Sequence, residues 1–261
     1  NAGDRMALVR TVLWDDTADL TATAATLRVD LTAHHVAIVL WSDQHGTDDG
    51  SADVSSLVTA ASRLAQTLGS VHPLVVRAGP TEIWVWLTGS RLPVGQSSDI
   101  AASMHRSAPP PRGVHASIGP VGEGVDGFRR SHLCALEAAR VARSTPGLDC
   151  SWAHHYSDLA VLAMLTRDPV QARTFAADIL GPLGRSGRGH DDLRETLRVY
   201  LAFGRSRLLA AETLHVARNT VAYRVEKAVA LLGHPIDQDP LSLRLALEIT
   251  RILPLEEDTD T

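Results

Sequence analysis

The segment HVARNTVAYRVEKAVALLG, residues 215–233, separates its apolar and polar side chains at helical spacing. Its apolar positions recur at i, i+4, i+7, i+8 and i+11, which is one face of an α-helix. These positions are Val221, Val225, Ala228, Val229 and Leu232. The remaining surface carries Arg218, Asn219, Thr220, Tyr223, Arg224 and Lys227. The chain must therefore bury one side of this helix while the other side presents a row of hydrogen-bond donors.

A second, shorter helix is predicted directly before this one, with Ser206 as its N-cap. Two helices joined by a short turn need a small residue where they cross and branched apolar residues that point into the angle between them. Ala211, Leu214, Val216 and Val221 supply that set, and Leu209 and Ala210 are expected on the buried side as well. Gly233 ends the second helix. The spacing predicts a helix-turn-helix.

The first turn of the second helix then faces outward. In helix-turn-helix proteins that bind DNA, this part of the helix enters the major groove. An arginine such as Arg218 pairs with guanine and an asparagine such as Asn219 with adenine, whereas the hydroxyls of Thr220 and Tyr223 suit phosphate. Arg224 lies about 120° around the helix from Arg218 and is expected to contact a flanking phosphate. The alternative is that these are solvated side chains on a helix that only packs.

Charge is distributed unevenly along the chain. Residues 193–251 contain nine basic and six acidic side chains, a net charge of +3. Since the whole chain has a net charge of −5, the other residues together carry −8. A basic module on an acidic body is typical of a protein that binds nucleic acid. No apolar stretch is long enough to predict a membrane-spanning helix. The chain begins with Asn1 and lacks an initiator Met, so a processed chain or missing upstream domains are expected possibilities.

The first part of the chain alternates strand and helix signals. Strands are predicted at 34–41, 73–78, 83–89 and 114–119, and helices at 5–14, 18–28, 54–68, 97–107 and 129–143. This order is typical of an α+β domain with one sheet and helices on one face. The glycine-rich stretch GPVGEGVDGF is expected to be a loop, and it lacks the Lys-Ser/Thr of a phosphate-binding loop.

From Tyr156 onward every signal is helical. Asp168 and Pro169 begin one helix, Leu193, Leu197 and Leu201 define another, and Asp239-Pro240 begins the last. The last segment also alternates like a strand, but its cap favours a helix with Leu241, Leu245, Ile249 and Ile252 on one face. The run GRSGRGHDD, residues 184–192, is the expected break between modules.

Residues 193–253 resemble the C-terminal helix-turn-helix of PucR-type transcription regulators, the family of purine-catabolism and sugar-diacid regulators. The resemblance rests on Leu193-Arg194-Glu195-Thr196-Leu197, Tyr200-Leu201, Ala210-Ala211, Leu214, Arg218-Asn219-Thr220-Val221, Tyr223-Arg224, Leu232-Gly233 and Asp239-Pro240. It implies sequence-specific DNA binding. One position departs from the family, because Ala217 stands where a histidine usually precedes the Arg-Asn-Thr triplet, and this affects one backbone contact but not the fold.

The central part of the chain resembles the degenerate GGDEF-like domain of the same family. The resemblance rests on IGPVGEGVDGFRRSHLCALEAARVA, on Tyr156-Ser157-Asp158-Leu159 and on LGPL at 180–183. In an active nucleotide cyclase of this fold, a Gly-Gly-acid-Glu hairpin holds the nucleotide and metal. The corresponding hairpin here is Gly79-Pro80-Thr81-Glu82-Ile83, in which Pro80 removes a backbone donor and Thr81 is no metal-binding carboxylate. The resemblance therefore implies a scaffold or sensor without catalysis.

The predicted fold class is α+β, a GGDEF-like sheet-and-helix domain followed by an all-α helix-turn-helix domain. The expected divisions are a helical lead-in at 1–30, the GGDEF-like domain at 31–150, a helical connector at 151–192, the helix-turn-helix domain at 193–253 and an acidic tail at 254–261. The predicted DNA-binding residues are Ser206, Arg207, Arg218, Asn219, Thr220, Tyr223, Arg224 and Lys227. We predict no catalytic residue, cofactor or metal, and effector-binding residues remain unknown.

The expected partners are double-stranded DNA, a second copy of the chain in a homodimer and a small-molecule effector, with no membrane association. Cys134 and Cys150 form no paired motif, and a cytoplasmic location is expected. Two other functions stay open: an enzyme that binds or processes a nucleotide in the α+β domain, and an adaptor whose terminal helices bind a partner helix. The degenerate hairpin speaks against the first, and the polar outward face at 218–227 speaks against the second.

Overall fold

The computed structural model describes residues 2–42, 54–67, 73–89, 92, 113–145 and 152–255. The chain forms two compact units. The first comprises residues 1–143 and 147–163, and the second comprises 164–261 with 144–146. The predicted helix at 97–107 and the acidic residues from 256 onward lie outside the described part of the chain.

The first unit contains one six-stranded mixed sheet. Its strands are β1 (His34–Ser42), β2 (Leu74–Arg77), β3 (Glu82–Thr88), β4 (Val114–Ile118), β5 (Gly122–Glu123) and β6 (Ala153–His155). They are ordered β2-β3-β1-β4-β6, and β5 also pairs with β1. Only the β4–β6 pair is parallel. The helices of this unit are α1 (Ala2–Trp14), α2 (Leu20–Leu27), α3 (Val54–Thr67), α4 (Gly124–Ser144) and α5 (Tyr156–Leu165).

One face of the sheet packs against α3. Alternate residues of the central strand, Val36, Ile38 and Leu40, share a core cluster with Leu57 and Leu64 of the helix. The amphipathic pattern of α3 accounts for this contact, because its buried side chains recur at helical spacing.

The opposite face packs against α4. Trp86 of β3 stacks on Phe128 with ring centroids 4.5 Å apart, and Trp84 lies 4.3 Å from the ring of His132. The backbone N–H of Ala37 donates to Ser131 Oγ at 2.7 Å. The sheet is therefore covered on both faces, and the expectation of helices on one face was wrong. The signal was in β1 itself, since an uninterrupted apolar run is typical of a strand buried on both sides.

The glycine-rich stretch at 119–128 is not the loop that was expected. It contains β5 and the first turn of α4, which begins at Gly124 and not near residue 129. A Cβ at Gly119 would lie 1.9 Å from the carbonyl oxygen of Ser131, and one at Gly127 would lie 2.2 Å from the backbone of Gly122. These glycines therefore allow α4 to cross the sheet at backbone contact distance.

The second unit is helical. It consists of α6 (Pro169–Leu180), a 3-10 turn (Gly181–Gly184), α7 (Arg188–Ala202), α8 (Arg207–Leu214), α9 (Arg218–Leu232) and α10 (Pro240–Ile252). The predicted caps are confirmed, because Asp168 accepts from the N–H groups of Val170 and Gln171 and Asp239 accepts from that of Ser242. The last segment is a helix, as its cap predicted.

Leucines and alanines from four of these helices form the core of the second unit. They include Ala176 and Leu180 of α6, Leu193 and Leu197 of α7, Ala228 and Leu232 of α9, and Ala246 and Leu247 of α10. The face expected for α10 was partly wrong, since Leu241 is 67% exposed while Leu243 and Ala246 are buried. Residues at 164–180 belong to this unit because α6 packs on α10. Most of the break expected at 184–192 is helical, since α7 begins at Arg188.

Within the described residues, no helix is both long and apolar enough to cross a membrane. Nor do three or more potential metal-ligating side chains come together there. The buried side chain of His155 makes structural contacts, since its ring nitrogens lie 2.9 Å from Ser157 Oγ and 3.1 Å from the carbonyl oxygen of Gly119. Cys134 is a free, half-buried thiol, and Cys150 lies outside the described residues.

Burial of His132 makes the first unit sensitive to acid. The side chain is fully buried and has no hydrogen-bond partner among the described residues, and desolvation lowers its pKa to about 3. Below the unfolded-state pKa of about 6.5, the unfolded chain binds a proton that the folded chain does not. The stability that neutral His132 contributes is therefore complete above about pH 6.5 and declines as the pH falls towards 3. Burial lowers the pKa values of His35 and His155 in the same direction.

We predict that His132→Phe reduces the loss of stability between pH 6.5 and 4.5 by about 1.4 kcal/mol per pH unit, the equivalent of one proton. Phenylalanine keeps an aromatic ring between Trp84 and Trp86 without the titrating nitrogens. Urea unfolding followed by tryptophan fluorescence reports on the first unit, because all five tryptophans lie there. Parallel stability–pH curves for the two proteins would contradict this assignment.

Candidate nucleic-acid interface

The turn between α8 and α9 is fixed by local backbone and capping interactions. Ser206 Oγ accepts from the N–H of Leu209 at 3.3 Å and so begins α8 as predicted. His215 ends α8 in the left-handed region with φ of 53°, and the N–H of Val216 donates to the carbonyl oxygen of Ala211 at 3.0 Å. Ala217 follows in extended conformation, and α9 begins at Arg218. The predicted helix-turn-helix is confirmed.

Small side chains allow α8 and α9 to cross closely. Ala210 and Ala211 are buried in a cluster with Val221 and Val225 of α9 and with Val199 of α7. Leu214 and Val216 are half-buried against the same cluster, so the predicted angle-filling set is present. The prediction for Leu209 was wrong, because its side chain is 43% exposed on the far side of α8.

The buried residues of α9 leave a continuous outward face. Val221, Val225, Ala228 and Leu232 are buried, and at 100° per residue their directions centre on one side of the helix. Asn219, Tyr223 and Lys227 are exposed on the opposite side, one turn apart from each other. Tyr223 is 62% exposed, so its ring projects into solvent. The face presents an amide, a phenol and an ammonium along one line.

The predicted site residues differ in their exposure and in the contacts that they make within the protein. Arg207, Arg218, Asn219, Tyr223 and Lys227 are exposed, and Thr220 is half-buried. Ser206 Oγ is engaged as the cap of α8. Arg224 is half-buried and points to α7, where its guanidinium donates to Asp192 Oδ2 at 2.6 Å. It also lies 3.4 Å from Thr196 Oγ1.

Ion pairing divides the basic residues of 193–251 into two groups. Six arginines are held by carboxylates or carbonyl oxygens of the same unit: Arg194, Arg198, Arg205, Arg224, Arg244 and Arg251. Within the described part of the chain, Arg207, Arg218 and Lys227 have no such partner. The cationic side chains that remain available therefore lie on the helix-turn-helix, and two of them on α9.

The N-terminus of α9 has no side-chain cap. Ala217 occupies the N-cap position and offers no acceptor, in contrast to Ser206 of α8 and Asp239 of α10. The amides of the first turn, from Arg218 to Thr220, therefore have no side-chain acceptor from the N-cap. Such amides, at the positive end of a helix dipole, form a site that favours an anion.

Arg224, which was predicted to contact a flanking phosphate, forms an ion pair within the protein. Its angular position pointed to a flanking phosphate, but the structure pairs it with Asp192 of α7. Nothing in the spacing of α9 predicts this pair, because the partner lies 32 residues earlier in the chain. The ion pair connects α9 to α7 and so helps to set the orientation of the outward face.

The hairpin of the first unit holds its acidic residue in structural contacts. Glu82 Oε1 accepts from the indole N–H of Trp84 at 2.7 Å, and Oε2 accepts from Arg143 at 2.5 Å. The guanidinium of Arg143 also lies over the ring of Trp41, 4.6 Å from its centroid. Oε2 of Glu82 thus connects α4 to the sheet, and Oε1 is engaged within β3.

Comparisons with known protein families match both units. Residues 14–141 match the model of the GGDEF-like domain, and residues 193–249 match that of the PucR C-terminal helix-turn-helix domain. The fold and the matches together define a GGDEF-like domain followed by a helix-turn-helix domain of the PucR type.

A curated relative is the purine catabolism regulatory protein of Bacillus subtilis (strain 168), 34% identical over 123 residues. The match covers 46% of this chain and 22% of the relative, so the chain spans less than a quarter of that protein. A crystal structure of the regulator of polyketide synthase expression from Bifidobacterium adolescentis is 20% identical and covers 96% of this chain and 98% of its own. Its TM-score of 0.46 establishes no common arrangement of the whole chain.

We predict that Arg224 and Asp192 are energetically coupled by about 0.5–1 kcal/mol, the range for a partly exposed ion pair. A double-mutant cycle of Arg224→Ala and Asp192→Ala, measured by urea unfolding followed by circular dichroism, tests this coupling. The cycle of Arg218→Ala with Asp192→Ala is the control and should give no coupling, because Arg218 has no described partner. Equal coupling in both cycles, or none in either, would show that the pair does not orient α9.

Proposed function

We propose that this chain is a sequence-specific DNA-binding transcription regulator that inserts α9 into the major groove through residues 206–232. The observation that carries the proposal is the division of charge within residues 193–251. Carboxylates and carbonyl oxygens engage six of the eight arginines in this range. Arg218 and Lys227, beside the exposed Asn219 and Tyr223, have no such partner among the residues that the structure describes. A helix that only packs has no need of such a row.

The side chains of the outward face suit different parts of a duplex. Arg218 and Asn219 lie in the first turn, which enters the groove first, and carry the donors that pair with guanine and adenine. Thr220, the uncapped amides of α9 and the Tyr223 hydroxyl suit phosphate oxygens. Lys227 lies two turns along the same face and adds a cation for the backbone. In this proposal Ser206 and Arg207, at the start of α8, lie beside the DNA backbone.

In this proposal Arg224 is a positioning residue. Its guanidinium is occupied by Asp192 at 2.6 Å, so it acts on DNA binding through the angle of α9. A phosphate contact by Arg224 would require this ion pair to break, which makes Lys227 the better candidate for a direct backbone contact.

The first unit is proposed to sense an effector or to pair two chains. One helix-turn-helix contacts only a short half-site, and two-fold pairing matches two half-sites about one helical turn apart. We accordingly propose a cytoplasmic homodimer with the functional divisions at 31–150 and 193–253. A regulator of this kind needs no catalysis in its GGDEF-like domain.

The geometry of the hairpin supports the absence of cyclase activity. Pro80 lacks a backbone donor, Thr81 is a poor metal ligand, and Glu82 is held by Trp84 and Arg143. Phosphoryl transfer depends on metal ions that neutralise the developing charge. The nucleotide-processing alternative therefore lacks the metal-binding carboxylate at the position of Thr81, and the carboxylate of Glu82 is already engaged.

We predict that Arg218→Ala and Asn219→Ala each weaken binding to a selected operator by about 1–3 kcal/mol and relax the preference at one base position. Lys227→Ala should weaken binding to all sequences and reduce the slope of log K against log salt by about one. Arg224→Ala should leave that slope unchanged. Binding isotherms at several salt concentrations on operator and scrambled DNA separate these outcomes.

Arg167→Ala provides a matched control, since it removes one exposed positive charge of the second unit outside the helix-turn-helix. It should bind DNA like the parent. If the alanine variants at 218, 219 and 227 also bind like the parent, α9 is a packing element and the proposed mechanism fails.

We predict no cyclic dinucleotide from GTP and Mg²⁺, because the hairpin lacks the metal-binding acid. The purified protein is incubated with both and the nucleotides are separated by chromatography. Glu82→Gln is the control for contaminating activity, which it should not change. Product that forms with the parent protein and disappears with Glu82→Gln would establish a catalytic hairpin and overturn this part of the proposal.

A further inference from the structure

A cavity of about 390 Å³ opens beside the edge strand of the first unit. It lies among α1, the start of α3, β2 and Ile83 at the start of β3. Its volume falls within the range of about 300–1,000 Å³ that is usual for small-molecule sites. Neither the proposed DNA contacts nor the structural network of Glu82 uses it.

Most of the residues that line this cavity are apolar. They include Val54 and Val58 of α3, Val75 of β2 and Ile83 of β3. Val58 is 39% exposed, so part of the apolar surface faces solvent. Surface of this kind gains stability when a hydrocarbon group covers it.

Two arginines line the same cavity, Arg5 from α1 and Arg77 from the end of β2. Arg77 Nε donates to the carbonyl oxygen of Gly79 at 3.1 Å, which fixes the stem and leaves the terminal NH₂ groups as donors. No partner for the side chain of Arg5 is present in the described part of the chain. An apolar cavity with a few converging charged groups is the usual composition of a site for an amphipathic small molecule.

We infer that this cavity binds a small carboxylate with a short hydrocarbon chain. Planar guanidinium groups pair with carboxylates through two parallel hydrogen bonds, and the valines and Ile83 cover the hydrocarbon. Two arginines on separate elements accommodate either one carboxylate between them or one at each end of a dicarboxylate. The inference goes beyond the proposed function and does not rest on it, since binding is measured without DNA.

Hexanoate and adipate are suitable probes, because they share a chain length and differ in the number of carboxylates. Titration of ¹⁵N-labelled full-length protein should shift backbone amide resonances at the cavity, including those of Val58, Val75 and Arg77. Hexan-1-ol and inorganic phosphate at equal concentrations should produce smaller shifts, because each offers half of the required chemistry. Saturable shifts confined to the cavity with either carboxylate are the expected result.

Three variants connect the shifts to the named residues. Arg5→Ala and Arg77→Ala should each weaken binding of the preferred carboxylate about tenfold, the usual effect of losing a charged hydrogen bond. Val58→Asp places a like charge at the exposed edge of the cavity and should abolish binding. Arg10→Ala, an exposed arginine of α1 that does not line the cavity, is the matched control and should leave the affinity unchanged.

The inference is wrong if neither carboxylate shifts the resonances of the cavity residues. It is also wrong if the shifts persist in both arginine variants. If phosphate alone produces saturable shifts that depend on Arg5 and Arg77, the site binds inorganic anions and the assignment to carboxylates is wrong. Far-UV circular dichroism of each variant separates lost binding from lost folding, and Arg5, exposed on α1, is the substitution with least structural consequence.

Discussion

The close crossing of α8 over α9 is the constraint on which the candidate interface depends. Ala210 is fully buried at the crossing and Ala211 nearly so, and Val221 packs against them. A larger side chain in such a packed position typically costs about 1–3 kcal/mol and displaces its neighbours. The crossing fixes the direction of α9, and the left-handed residue His215 closes the turn that makes it possible. The outward row from Asn219 to Lys227 follows from this geometry.

The second unit shows how a modest net charge concentrates on a functional surface. Five arginines of 193–251 form ion pairs, and Arg244 donates to a backbone carbonyl. Of these arginines, Arg198, Arg224 and Arg244 connect different helices, through Glu248, Asp192 and the carbonyl oxygen of Leu201. Among the described residues of 193–251, the cations without such a partner lie on α8 and α9. The net charge therefore does not show where the available cations lie, because contacts within the unit engage most of the basic side chains.

Local sequence signals predicted most elements and the candidate site. The caps Asp168, Ser206 and Asp239 act over two or three residues, and the apolar face of α9 repeats at helical spacing, so both follow from sequence alone. The contact of Arg224 with Asp192 could not be predicted, because it depends on how two helices pack. For the same reason the sequence did not place α4 on the second face of the sheet or the cavity beside Arg5 and Arg77.

The short strands were missed for a different reason. β5 has two residues and β6 has three, too few for an alternating pattern to develop. Both are defined by their neighbours, β5 by pairing with His34 and His35 and β6 by its parallel register on β4. The glycines at 119–127 are typical of a loop, yet they serve the close contact of α4 with the sheet, where a Cβ would overlap the opposing backbone.

Selection of bound sequences from a random pool of duplex DNA tests the central claim most directly. We expect enrichment of an inverted repeat whose half-sites are centred about 34 Å apart, or a multiple of that distance, on one side of the duplex. An enriched sequence without two-fold symmetry would contradict the proposed dimer. A pool that remains unenriched through successive rounds at low salt would contradict sequence-specific DNA binding itself.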